Sequence, residues 1–425
     1  MKRIYRLFAC LILALSLLVS CSGRPGGAES EPLPDQTADV TEEFTGEGAG
    51  DETPDYGFPA PEGYSLSFTL PMRYGVRALI FKSDKRDAAK KAAESYYELL
   101  KSEGYETVSQ REYGRFVFLT LEKGEDALHL TFDGTARTLR VIRDSKERSI
   151  YRLDDKAEYG GRASVIQLDN DHSSSDVGMS YIICLRDGSF ALIDGGHAVA
   201  ADADLIWKTL QEKTGGEKPH IRMWILTHAH SDHSGAFALL SEKYGSRVTL
   251  DALLCSDVVE FTHVNNEKQR TGDDYLSYYD GALLLTPQTG NMITAGGITF
   301  EFLYTYTDHY PQIPSCLNDS SIVFRVTAGK SLLILGDLQT GGADFLSGMY
   351  GSLLKSDVVQ FAHHGYRNGA SETVYSLVDA KIGLWPSSSA LRASLVGSGP
   401  AGKAAEGMEK VYVSSDGTEE ITLEE

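Results

Sequence analysis

The chain has 425 residues, 42% of them hydrophobic and 24% charged, with 60 acidic against 40 basic side chains and a formal net charge of -20. That length allows two or three folded units with a sizeable core. The negative balance argues against a dedicated nucleic-acid binder, which carries a basic face towards the phosphates.

Lys2, Arg3 and Arg6 open the chain, and the apolar run over residues 7–19 that follows is shorter than a bilayer-spanning helix needs. Residues 1–21 therefore read as a secretory signal peptide. Leu18-Val19-Ser20-Cys21 resembles the lipobox of bacterial lipoproteins, which implies cleavage before Cys21, lipidation of its thiol and an extracytoplasmic chain anchored to membrane lipid. Residues 22–57 hold ten acidic residues against Arg24 and almost no aliphatic side chains. Such a segment cannot bury enough apolar surface to fold and reads as a disordered acidic linker.

Residues 58–150 read as a small α+β accessory domain. Strands are expected at 64–70, 76–81, 115–121, 127–132 and 138–142. A helix is expected from a Ser83 cap to Lys101, with Ala88, Ala92, Tyr96, Leu99 and Leu100 along its buried stripe and Gly104 as its stop. No catalytic constellation falls in this stretch. Residues 160–425 read as the third unit. Strands are expected at 165–168, 181–185, 190–193, 222–226, 248–254, 298–304, 321–326, 332–335 and 358–361, and helices at 202–213, 234–244, 273–279 and 371–378. Many strands interspersed with helices point to an α/β (α+β) class, with stacked sheets and helices outside. Cys10 leaves with the signal, and Cys184, Cys255 and Cys316 are widely spaced, odd in number and free of any CxxC pair, so they read as small core residues.

Four strand ends carry chemistry. Thr227-His228-Ala229-His230-Ser231-Asp232-His233 follows an apolar strand and precedes a helix. Residues two apart on an extended segment point to the same side, so His228 and His230 can share one cation while Asp232 and His233, past the bend, face a second. Imidazole and carboxylate are the donors that a zinc-like ion takes in a catalytic site with open positions. Ile334-Leu335-Gly336-Asp337 delivers a carboxylate that can bridge two cations. In 358–365 another strand ends in His363-His364-Gly365, one histidine closing the second site and the other reaching substrate or supporting a ligand from behind. Asp194 ends a fourth strand, where its carboxylate can hydrogen-bond a ligand imidazole and fix its tautomer.

The order Asp194, histidine–aspartate cluster, Asp337, His363-His364 resembles the metallo-β-lactamase superfamily over roughly residues 160–390. The resemblance implies an αββα sandwich in residues 160–425 with two divalent metal ions, zinc or alternatively manganese, at the edge of its sheets. It places His228 and His230 on the first ion, Asp232 and His233 on the second with His364 or His363, and Asp337 between them. Many members carry a further histidine between the cluster and the bridging aspartate. The comparable stretch here is Leu317-Asn318-Asp319-Ser320-Ser321-Ile322, which looks like the branch of bacterial competence-channel hydrolase domains and surface phosphorylcholine esterases. Asn318 or Asp319 would then face the first ion, with His263 and His309 as alternatives. An amide oxygen is a weaker zinc ligand than imidazole, which makes that site looser or open to manganese. His172 reads as a loop residue.

The activity implied is metal-assisted hydrolysis, in which two cations lower the pKa of a water between them and stabilise the charge that develops as it attacks. Whether Asp232 or that water handles protons stays open. A helix starting near Ser234 would turn its N-terminus to the site and favour an anionic substrate. The expected substrate is therefore a small-molecule or envelope phosphodiester outside the cell. The alternatives are an extracellular nuclease, a lactonase or β-lactamase, and a non-catalytic metal- or ligand-binding lipoprotein. Tyr275, Tyr304, Tyr306, Tyr310 and Trp385 are aromatic candidates for pocket walls, each of a kind that more often packs in a core. Nothing in the pattern sets an oligomeric state.

Overall fold

Gly114 and Gly124, both at positive φ, each close a two-residue hairpin and so fix the register of the first strands. The structure is a computed structural model. It describes residues 56–84, 89–173, 176–255, 276–309 and 317–425, without the side chains of 171–173 and 176. The signal peptide, Cys21, the linker up to residue 55, His263, Tyr275, Tyr310, Cys316 and the ring of His172 lie outside the described residues.

The first sheet is antiparallel, in the order β1 (Ser65–Pro71), β2 (Arg77–Lys82), β6 (Thr138–Ser145), β5 (Asp126–Asp133), β4 (Phe116–Lys123), β3 (Glu106–Tyr113). Helix α1 (Ala89–Ser102) lays Ala89, Tyr96 and Leu100 on Leu79, Phe81, Leu121, Leu130, Leu139 and Val141 of one face. Leu99, expected in that stripe, is 38% exposed, and Ala93 takes its place on the buried side. Gly104 ends the helix at φ 93°, its N–H returning to Lys101. Strand β3 escaped the sequence reading because it is an edge strand, mostly exposed, and its polar run Glu-Thr-Val-Ser-Gln-Arg-Glu-Tyr carries no apolar alternation.

Period-two alternation then builds the rest. In β7 (Ser164–Gln167), β10 (Ser180–Cys184), β11 (Phe190–Asp194) and β12 (His220–Leu226), the residues Val165, Ile183, Ile193 and Ile225 face one core while Ile166, Ile182, Leu192 and Trp224 face another. A sheet apolar on both faces must be covered on both. Its order is β15 (Leu283–Leu285), β14 (Ala252–Cys255), β12, β11, β10, β7, β23 (Glu419–Thr422), with β13 (Thr249–Leu250) beside β12. A small hairpin, β8 (Asp171–Ser173) and β9 (Asp176–Val177), lies apart. Helices α2 (Ala200–Lys213) and α3 (Ser231–Tyr244) cover one face through Ala203, Ile206, Leu210, Phe237 and Leu240.

The other face packs on a second sheet, ordered β16 (Met292–Ala295), β17 (Ile298–Tyr304), β18 (Val323–Thr327), β19 (Ser331–Ile334), β20 (Val358–Gln360), β21 (Ile382–Trp385), β22 (Lys410–Val413). Phe300, Phe302, Phe324, Val326, Ile334 and Val358 fill the space between the sheets. Helices α4 (Thr340–Tyr350), α5 (Glu372–Val378), α6 (Ser389–Leu395) and α7 (Gly399–Glu406) cover its far side. This is the αββα sandwich. Residues 56–425 form one compact unit. The first sheet packs on the sandwich near Gly290, where a Cβ would lie 2.3 Å from that of Phe118, and Asn291 Nδ2 donates to Thr120 Oγ1 at 3.1 Å.

Candidate metal centre

Strands β11 and β12 run parallel, as do β19, β20 and β21, so the C-terminal ends of all the motif-bearing strands emerge at one edge of the sandwich. Ile322 N–H donates to the Thr227 carbonyl at 2.9 Å and ties the two sheets together there. Helix α3 begins at Ser231 with His230 at its N-cap, three residues earlier than expected, so Asp232 and His233 lie in its first turn.

Two groups of donors result. Asp232, His233, Asp337 and His364 form one, and His228, His230 and Asp337 the other, each with its ligand atoms within 4.8 Å of one another. Asp337 is common to both. Its Oδ1 lies 3.2 Å from His233 Nε2 and its Oδ2 lies 3.5 Å from His364 Nε2 and 3.9 Å from His228 Nε2. His233 Nε2 faces His364 Nε2 at 3.3 Å, His228 Nε2 faces His230 Nδ1 at 3.0 Å, and Asp232 Oδ2 lies 3.3 Å from His364 Nε2.

The far sides of the rings are held. His233 Nδ1 meets Asp194 Oδ2 at 2.7 Å, and the Asp194 carboxylate also accepts from Thr227 N–H at 2.7 Å and Thr227 Oγ1 at 2.8 Å. His364 Nδ1 meets the Pro386 carbonyl at 2.8 Å, and His228 Nδ1 meets Thr227 Oγ1 at 3.1 Å. A second partner on each imidazole fixes its orientation and aims the remaining nitrogen inward. Asp194, His363 and His364 hold these places at φ 53°, 52° and 52°, a left-handed backbone that non-glycine residues keep only where surrounding bonds impose it. Gly365 lets the chain pass Trp385, whose Nε1 donates to the His364 carbonyl at 2.8 Å.

The electrostatics follow from burial and crowding. Burial, with His233 beside it, pushes His228 well below the usual histidine range, and burial lowers His230 too. Both rings are thus neutral, the form that binds a cation. Burial works against charge on His233 and His364, but the carboxylates around them, Asp337 above all, outweigh it and raise both. Asp232 and Asp337 are held low against the cost of burial by those same imidazoles. Asp337 Oδ1 is buried without a hydrogen-bond partner. Imidazole nitrogens aimed at one another around a shared buried carboxylate are costly to leave facing no cation, and the donor set suits zinc-like ions. The residues fit two cations.

Asn318, Asp319 and His363 part company. Asn318 is buried close enough to His230 to act on its ring, with its Oδ1 unpartnered and its Nδ2 3.2 Å from His363 Nε2. Asp319, expected as its alternative beside the first ion, belongs to neither donor group. Its Oδ1 accepts from Gln339 N–H at 2.9 Å and Gly342 N–H at 3.2 Å at the start of α4. His309 is likewise in neither group and packs edge-to-face on Phe345. Tyr304 and Trp385 are fully buried in the core and Tyr306 is 4% exposed, so none of the three forms an open pocket wall. Thr227, Pro386 and Ser321, whose Oγ accepts from Asp337 N–H at 3.0 Å, also support the centre and were not among the candidates. The hydroxyl of Thr227 adjoins the motif and was open to notice, but Pro386 acts through a backbone carbonyl that leaves no trace in residue type.

Residues 175–255 match the family described as the Metallo-beta-lactamase superfamily. That stretch holds Asp194 and all four donors of the histidine–aspartate cluster. Over 163 residues the chain is 28% identical to Competence protein ComA of Neisseria gonorrhoeae, covering 38% of this chain and 19% of that protein. Among solved structures it is similar to the metallo-beta-lactamase fold protein YhfI from Bacillus subtilis, at TM-score 0.37 and 15% identity over 61% of this chain and 99% of that one. It is also similar to CmlA, a diiron beta-hydroxylase from Streptomyces venezuelae, at TM-score 0.36 and 11% identity over 62% and 55%.

Proposed function

We propose that this chain is a metal-dependent hydrolase anchored by Cys21 outside the cytoplasmic membrane, acting on phosphodiesters of the cell envelope or its surroundings. The observation that carries the reading is the shared Asp337, buried between two sets of imidazole and carboxylate donors. His228, His230 and Asn318 would hold one cation, and Asp232, His233 and His364 the other, with Asp337 common to both. When bound, such a pair supplies Lewis acidity and activates water near neutral pH.

The chain's own residues do the rest. Asp194 and the Pro386 carbonyl orient the rings of His233 and His364. The first turn of α3 presents backbone N–H dipoles at the centre, which favours an anionic reacting group over a neutral lactam. Asp232, on that turn and only partly buried, turns Oδ2 towards His364 and the second cation's place, and its other carboxylate oxygen would take or return a proton. His363, held at Nε2 by Asn318, is placed to contact substrate. An extracellular nuclease is the second reading, supported by the partial match to a competence protein and opposed by the net charge of -20.

Metal analysis of the purified mature chain, then turnover of a chromogenic phosphodiester, a chromogenic lactam and single-stranded DNA, separates these readings. The expected outcome is two cations per chain and turnover of the phosphodiester. His230→Ala should cost one cation and lower turnover by about 10³-fold or more with folding intact. A folded wild-type chain that takes up no divalent cation would sink the reading.

A further inference from the structure

The first sheet supplies none of the metal donors, yet it grips the segment that leads to them. Tyr306, in the turn after β17, sits on that sheet's second face among Leu70, Met72, Val76, Ala78, Ile80 and Ile142. Two residues later, Asp308 pairs with Arg140 of β6 (Nη2 to Oδ1, 2.8 Å), their side chains 9% and 3% exposed. Arg140 Nη1 also donates to the Thr307 carbonyl at 2.6 Å. The other Asp308 oxygen accepts from Thr305 N–H at 2.9 Å and from the Thr289 hydroxyl, which closes the turn.

A buried ion pair contributes little net stability, because desolvation offsets most of the attraction, but it selects one arrangement over its neighbours. Packing alone does not set the turn: a cavity of about 390 Å³ opens between the sheet and α4, and Arg140, Asp308 and Phe345 all line it. From the turn the contacts run on to the centre. His309 lies ring to ring with Phe345 of α4 at 4.7 Å. His309 Nε2 and Asp319 Oδ2 flank Gly341, 3.5 and 3.0 Å from where its Cβ would be. Tyr304 Oη donates to the Asp319 carbonyl at 2.9 Å, while Asp319 Oδ1 takes the two N–H groups at the start of α4. Asn318, the preceding residue, meets His363 and His230.

We infer that the first sheet is a positioning module for the metal centre, in which Arg140, acting through Asp308 and the start of α4, sets Asn318 against the first cation's histidines. The inference rests on the two-cation reading above. Arg140 touches no donor and is a positioning residue. Its effect falls on one cation and spares the other, whose donors His233 and His364 are oriented by Asp194 and Pro386 instead.

The test is cobalt titration of the full mature chain, followed by visible absorption and chelator competition, for wild type, Arg140→Gln, Arg140→Lys and Asp308→Asn. Wild type should take two cations. Arg140→Gln should hold one with wild-type affinity and the other about tenfold more weakly, with a changed absorption band, and Arg140→Lys should recover part of the loss. A general loss of stability would move both cations together or neither. Should Arg140→Gln fail to fold, Asp308→Asn gives the same reading from the other partner while keeping the bond to Thr307. Two cations at wild-type affinities and spectra in the folded variants overturn the inference. A wild-type chain without cations overturns the centre itself.

Discussion

At Asp194 one carboxylate fills three acceptor roles, towards Thr227 N–H, the Thr227 hydroxyl and His233 Nδ1. Asparagine is the one substitution that tests this cleanly, because it tolerates the left-handed backbone at φ 53° better than other side chains and keeps the volume. Asp194→Asn should leave the fold intact and weaken one cation by about 10- to 100-fold, read by chelator competition. His129 offers a test away from the centre. Burial pushes its pKa down to about 4, and Thr120 Oγ1 lies 3.1 Å from its Nδ1. The unfolded ring titrates near 6.5, so between pH 6.5 and about 4 the unfolded chain binds the extra proton and stability falls as pH falls; above 6.5 the contribution is complete. His129→Gln should therefore shrink the loss in unfolding free energy between pH 7.5 and 4.5 by about 2–3 kcal/mol in the metal-free chain. His228, His230, Asp232, His233 and Asp337 were legible as candidate donors, being of ligand type at strand ends, whereas the sequence left His363 and His364 equal and only the fold groups His364 with the others. The choice between Asn318 and Asp319 was not legible either, because it depends on which of two neighbouring side chains finds the free N–H groups of Gln339 and Gly342.

Among the elements, α3 carries the most consequence, since it places Asp232 and His233 while packing on the loop after Asp194. Gly235 allows that approach: a Cβ there would lie 2.2 Å from the Ala198 nitrogen and 2.7 Å from the His197 carbonyl carbon, both backbone atoms. Gly235→Ala gains about 1 kcal/mol of helix propensity but forces helix and loop apart, at a cost towards or above the upper end of the usual ~1–3 kcal/mol because the atoms met are backbone. The clash wins, and denaturant unfolding should show a net loss together with weaker metal binding. A substitution that proves stabilising would show that the loop yields without disturbing the centre. Elements with two apolar faces, such as β11, β12, β19 and β20, announced themselves as apolar runs. Of the strands and helices that the sequence left unmarked, three show why. β3 and β23 are edge strands with exposed polar residues, and α4, with Gly341, Gly342 and Gly348, lacks the composition of a helix and owes its place to packing and to Asp319 at its start.

At the scale of the whole molecule, the αββα layering followed from the sequence because each motif strand is apolar on both faces and must be covered twice. The use of the first sheet did not, because Arg140 and Asp308 are 168 positions apart in the chain and no local pattern links an arginine in one sheet to a turn after another. The same kind of distance governs how the sandwich closes. β23 pairs with β7 through Glu419↔Gln167 to Thr422↔Ser164, and Ser164 Oγ reaches Glu420 across 256 positions. The sheet whose β12 leads into His228, His230, Asp232 and His233 thus takes one edge strand from a distant segment. Pairings of so long a range close late in folding, so this edge is expected to form after the strands around the centre have met.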